Sequence, residues 1–133
     1  LYTLKRTMNS SEVMTRLPDL VNQDTALVRR GRWLSNVFLV EAGTTQFLVH
    51  VDKGRLLNVE RGPFVMPSWS FAIRASESVW QRFWQPLPAP GDNDIFALRK
   101  TGEMSVEGNL QPFMANLIYI KQVLAMPRAL MER

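Results

Sequence analysis

Residues 80–128 read WQRFWQPLPAPGDNDIFALRKTGEMSVEGNLQPFMANLIYIKQVLAMPR, and this run decides the fold. Trp80, Phe83 and Trp84 recur at helical spacing behind Ser76, whose hydroxyl suits it to cap the first free amides of a helix. Pro86, Pro88 and Pro90 with Gly91 cannot continue that helix, so a rigid, extended elbow is expected. Asp94 caps a further short helix carrying Ile95, Phe96 and Leu98, stopped near Gly102. Met104 and Val106 then alternate with Glu103, Ser105 and Glu107, the period of two that marks a strand. Asn109 opens a last helix that tolerates Pro112 in its first turn, presents Phe113, Met114, Leu117 and Ile118, and ends at Pro127. So much apolar surface in so short a run predicts a wall that closes on itself or on an apolar guest.

Upstream, Ser10 and Ser11 precede Val13, Met14 and Leu17, a capped helical pattern that Pro18 interrupts. Residues 24–31 read either as a short helix ended by Gly31 or as an extended lead-in, the helix being favoured. From Trp33 the period changes to two. Residues 34–42, 45–52, 55–61 and 68–75 each alternate, with Phe47, Val49 and Val51 set against Leu48, His50 and Asp52. In the fourth, Trp69, Phe71, Ile73 and Ala75 share one face. Gly43 and the Asp52-Lys53-Gly54 turn predict an antiparallel meander for the first three strands. Five strands with amphipathic helices to cover them make an α+β, two-layer chain. With no repeat or low-complexity tract, residues 1–133 are expected to be a single domain with a helical lead-in over about 1–30.

Composition narrows the function classes. The hydrophobic fraction of 46% supports a real core. Cysteine is absent, which removes disulfides and thiol chemistry and fits a reducing compartment. Sixteen basic against twelve acidic residues give +4. Arg29, Arg30 and Arg32 cluster, as do Lys5 and Arg6, but too sparsely for a nucleic-acid partner. At most, transient contact with an anionic membrane surface is expected. No stretch reaches the ~20 apolar residues of a membrane span, and no signal peptide is visible, so a cytoplasmic location is expected. A start at Leu1 reads as trimmed or as part of a longer chain.

No catalytic constellation emerges. His50 is the single histidine; Asp52 lies on the same strand face, yet no activated nucleophile is near in sequence. One His and no Cys argue against zinc, and Asp92-Asn93-Asp94 lacks calcium-loop spacing; no metal and no cofactor are expected. Glu103 and Glu107 fall on the polar face of their strand.

The strand ending before Ser76, the Asp94-Ile95-Phe96-Ala97-Leu98 helix and the Gly102-x-Met104-x-Val106-Glu107-Gly108-Asn109-Leu110 run resemble the sterol carrier protein type 2-like, or nonspecific lipid-transfer, domains. The resemblance spans about residues 25–127, and Trp80, Trp84 and the PLPAPG elbow look like a bacterial offshoot. It implies a five-stranded, mostly antiparallel sheet covered on one side by helices, with an apolar tunnel between the layers. It also implies non-catalytic binding of a fatty acid, acyl chain or sterol-like lipid. Phe71, Ile73, Trp80, Phe83, Trp84, Phe96, Met104, Val106, Phe113, Met114, Leu117 and Ile118 are then the expected pocket, with Trp80, Trp84 and Phe113 bulky enough to fill it. Two rivals stand beside this carrier. One is an interaction or homodimerisation module docking through Trp80 or Trp84; the other is a small enzyme with a cone-shaped pocket, which needs His50 and Asp52 to face inward.

Overall fold

The computed structural model describes residues 8–131. Asn9, rather than Ser10 or Ser11, caps helix α1 (Ser10–Gln23). Its side-chain oxygen accepts from the Glu12 amide at 2.9 Å, and its own amide donates to the Glu12 carboxylate at 3.4 Å. Pro18 does not interrupt α1. It forfeits one backbone hydrogen bond, but Leu17 and Val21 are fully buried on either side of it and carry the helix through. Asp24 accepts from the Leu27 amide at 3.0 Å and starts α2 (Thr25–Arg30), the short helix expected over 24–31.

Strands β1 (Asn36–Ala42), β2 (Thr45–Asp52), β3 (Arg55–Arg61), β4 (Phe71–Ala75) and β5 (Met104–Gly108) form one sheet in the order β3-β2-β1-β4-β5. Only β1 and β4 run parallel; the other neighbouring pairs are antiparallel. The parallel pair follows from the link over residues 62–70, which carries the chain back across the sheet to the starting end of β1. Phe38, Val40, Phe47, Val49, Phe71 and Ile73 face the helices. On the outer face Leu39, Leu48 and Ala72 are buried beneath Phe64 and Trp69 of that link.

Trp69 therefore sits on the face opposite Phe71, against expectation. The backbone explains it: the Ser70 amide donates to Val37 O at 2.9 Å, while Ser70 O accepts from the Asn109 amide at 2.7 Å. Those bonds fold the chain before the strand, so alternation starts at Phe71. Trp69 lies instead beside Arg74, whose guanidinium carbon is 5.6 Å from its ring centre.

Four more helices, α3 (Glu77–Phe83), α4 (Ile95–Lys100), α5 (Leu110–Ala115) and α6 (Leu117–Ala125), precede a 3-10 turn over Met126–Leu130. The last helix, expected to be continuous, breaks at Asn116. Its side-chain amide donates to Pro112 O at 3.1 Å, taking a carbonyl that a helix backbone would otherwise use, and its backbone leaves helical geometry (φ −123°). Pro127 closes α6 as expected, yet the chain tightens into the 3-10 turn. At the sheet edge, Asn22 clamps α1 onto β3, donating to Leu56 O and accepting from Leu56 N, both at 2.9 Å.

The β2–β3 turn presses on the end of α2. Gly54 has φ +84°, and a Cβ there would lie 2.2 Å from Val28 O. The buried Tyr119 hydroxyl donates to Gly54 O at 2.6 Å, and burial pushes its phenol well above the usual range. A proton held more tightly in the folded state stabilises below the unfolded pKa of about 10 and is lost as a stabilising influence above it. Tyr119→Phe is expected to lower unfolding free energy by about 1–2 kcal/mol at neutral pH. In urea titrations the parent should weaken steeply above about pH 10 and the variant less so.

Candidate functional site

Seven of the expected pocket residues, Phe71, Ile73, Trp80, Phe83, Trp84, Met104 and Phe113, are buried in the core itself. Phe71 stacks on Phe38 of the neighbouring strand at 4.9 Å, and Ile73 is buried beside them. Trp80 and Trp84 stack at 5.3 Å, and Phe83 meets Trp80 edge-on at 5.7 Å. Both indoles are anchored: Trp80 Nε1 donates to Glu41 O at 2.9 Å and Trp84 Nε1 to Leu124 O at 3.0 Å. Rings packed and hydrogen-bonded in this way fill space and fix orientation. Since Trp80 and Trp84 are both 0% exposed, neither offers a surface through which a partner could dock.

The other five, Phe96, Val106, Met114, Leu117 and Ile118, are partly or largely exposed, and only Phe96 and Val106 meet, between α4 and the edge strand β5. Phe96, Met104 and Val106 line a cleft of about 590 Å3 between α4 and β5, with Arg99, Lys100 and Ser105 at its rim. It is an open groove rather than an enclosed cavity, with polar and apolar lining side by side. Behind it a row of rings leads inward: Phe96 meets Phe113 at 6.2 Å, and Phe113 meets Phe71 at 5.4 Å. Leu117 is half-buried against the core. Met114 and Ile118 are 54% and 59% exposed, turned outward on α5 and α6. Adjacent helix positions point about 100° apart, so Met114 cannot share the inward direction of Phe113.

Charge around the cleft is partly committed. Glu103 is held below its usual range first by the hydrogen bond from Arg82 (2.6 Å) and then by Thr101. Arg82 also bonds Asp92 at 3.1 Å, tying the proline elbow to the start of β5. Asp94, expected to cap α4 with its side chain, makes no such bond; its carboxylate pairs with Lys121 at 2.8 Å, and that ammonium sits 4.5 Å from the Phe96 ring. Arg99 and Lys100 are exposed and have no carboxylate within 4 Å among the described residues.

A second cleft, of about 420 Å3, was not anticipated. Leu27, Arg30, Ala125, Met126, Arg128 and Ala129 line it, between α2 and the end of α6. Arg128 is half-buried without a carboxylate: it donates to Phe83 O at 2.8 Å and Asn93 O at 3.1 Å, and burial pushes its pKa down. Leu27 and Arg30 at i and i+3 were the available signal. Elsewhere, His50 lies on the outer face of the sheet with Nε2 2.7 Å from Glu60 Oε1, and Asp52 accepts from the Ser35 hydroxyl at 2.9 Å. The inward-facing His–Asp pair needed by the enzyme reading is not assembled. Among the described residues no cluster of three or more acidic or histidine side chains could hold a metal, and no helix is long and apolar enough to cross a membrane.

Comparison with solved structures places this architecture. A crystal structure of sterol carrier protein 2 superposes with a TM-score of 0.71 at 10% identity, covering 92% of this chain and 96% of the other. The chain has the sterol carrier protein 2 fold. Two further examples of the sterol carrier protein 2 fold agree. One is the ubiquinone synthesis protein UbiJ-SCP2 (TM-score 0.58, 17% identity, 90% and 91% covered). The other is palmitated SCP2L2 of Aedes aegypti (TM-score 0.55, 14% identity, 88% and 95% covered). No family model and no curated protein matches the chain. Within the sterol carrier protein 2 fold seen here, Phe113→Ala should cost about 3–5 kcal/mol, whereas Met114→Ser should stay within about 0.5 kcal/mol. Urea denaturation of the two variants checks this division between core and rim.

Proposed function

We propose that this chain binds an anionic lipid with an acyl chain, without chemistry, in the cleft between α4 and β5. The observation that carries the reading is the juxtaposition in that cleft of an apolar floor with an unneutralised cationic rim. Phe96, Met104 and Val106 form the floor, and Arg99 and Lys100 the rim. A tail laid on the floor meets Phe96, behind which the buried rings of Phe113 and Phe71 back the groove. Met104 suits a variable guest because a thioether adapts its shape. A palmitated neighbour of the same fold supports an acyl ligand.

Magnitudes decide whether this is enough. About fifteen methylenes at ~0.8 kcal/mol each supply roughly 12 kcal/mol. Subtracting the lower limit of the association cost, about 4 kcal/mol, leaves at most roughly 8 kcal/mol, so a micromolar dissociation constant is the tightest a fully buried tail supports. Anything tighter needs the cations. A fluorescent long-chain fatty acid is therefore expected to bind in the micromolar range, and native mass spectrometry of protein isolated from cells should show co-purified lipid. Val106→Trp, which fills the cleft, should weaken uptake at least tenfold with folding intact, and Arg99→Glu several-fold. Protein that is empty on isolation and takes up no fatty acid sinks the reading; undiminished uptake by Val106→Trp moves the site elsewhere.

A further inference from the structure

The cations without carboxylate partners are not spread evenly. Arg74, Arg82 and Lys121 are all paired. Arg29, Arg30 and Arg32 at the end of α2, with Lys53 and Arg55 on the β2–β3 turn, are exposed and have no carboxylate within 4 Å among the described residues. These two segments touch: Gly54, flanked by Lys53 and Arg55, donates to Leu34 O at 3.2 Å and packs against Val28 and Gly31. Five positive charges thus converge on one corner of the molecule. At that corner Trp33 stands 81% exposed, with the Arg32 guanidinium 5.1 Å from its ring centre. Two carboxylates lie in these segments, Asp24 accepting from the Leu27 amide and Asp52 from the Ser35 hydroxyl; both keep their charge, so five cations against two anions leave the corner net positive.

We propose that this corner docks the protein on an anionic lipid bilayer, with Trp33 seated among the headgroups and Arg29, Arg30, Arg32, Lys53 and Arg55 against their charge. An amphipathic ring beside clustered cations matches an interface that is apolar below and negatively charged above. The apolar-floored cleft that opens beside Arg30 adds to that match. A nucleic acid would want several stacking rings along a basic track, and this corner offers one ring. The docking goes beyond lipid binding between α4 and β5: that cleft lies at the opposite edge of the sheet from β3, so the two surfaces can fail separately.

The test is co-sedimentation of the full chain with phosphatidylcholine vesicles, with and without phosphatidylglycerol. Binding is expected only to the anionic vesicles and should weaken as salt is raised. Each of Arg29→Glu, Arg32→Glu and Lys53→Glu should weaken it about fivefold or more, in keeping with the contribution of one cation near a charged surface. Tryptophan emission of the parent should shift to the blue on binding as Trp33 leaves water, and Trp33→Ala should weaken binding several-fold and abolish that shift. Val106→Trp should bind vesicles like the parent even where it has lost fatty-acid uptake. Equal binding to both vesicles, no binding to the anionic ones, full binding by the triple charge reversal, or preference for an oligonucleotide over vesicles would each overturn the proposal.

Discussion

The stacked indoles of Trp80 and Trp84 are the interaction on which the rest of the molecule depends. One donates to the backbone of β1 and the other to the backbone of α6, so a seven-residue helix ties the sheet to the chain's last helix. Large rings are efficient at this because each buries much area while its single polar atom dictates orientation. The same packing governs where a guest can sit. With the space beneath the central strands occupied by bonded indoles, room remains at the periphery, where α4 leans on β5 and α2 on α6.

Much of this was legible in the residues. Period-two alternation located all five strands, and turn chemistry at Gly43 and Gly54 foretold the meander. What escaped was decided by individual polar side chains that take backbone partners. Asn116 breaks a helix that the apolar pattern carries straight through, because a local amide competes for Pro112 O. Trp69 keeps the spacing of a strand residue, yet the Ser70 hydrogen bonds reset the phase. Pro18 shows the converse, where burial of Leu17 and Val21 outweighs a strong local signal.

The pocket residues divide along the same line. The resemblance, filled in by apolar residue type, pointed to twelve side chains but does not say which are mutual neighbours. Trp80 and Trp84 found each other, whereas Met114 and Ile118 found solvent. The cations were harder still. Arg99, Lys100, Arg128 and the corner around Trp33 acquire meaning only from which carboxylates are already taken, and those pairings join segments far apart in sequence, as Arg82 with Glu103 or Lys121 with Asp94.

Asn22 has a wider consequence. A terminal strand ordinarily presents unpaired amides and carbonyls to any neighbouring chain, and these invite intermolecular ladders. At Leu56 both groups are consumed by one carboxamide, with α1 laid over the same margin. The first outward pair of backbone groups on that edge is thereby closed without a sixth strand, and a chain adding to β3 would find its template shortened at the Leu56 end.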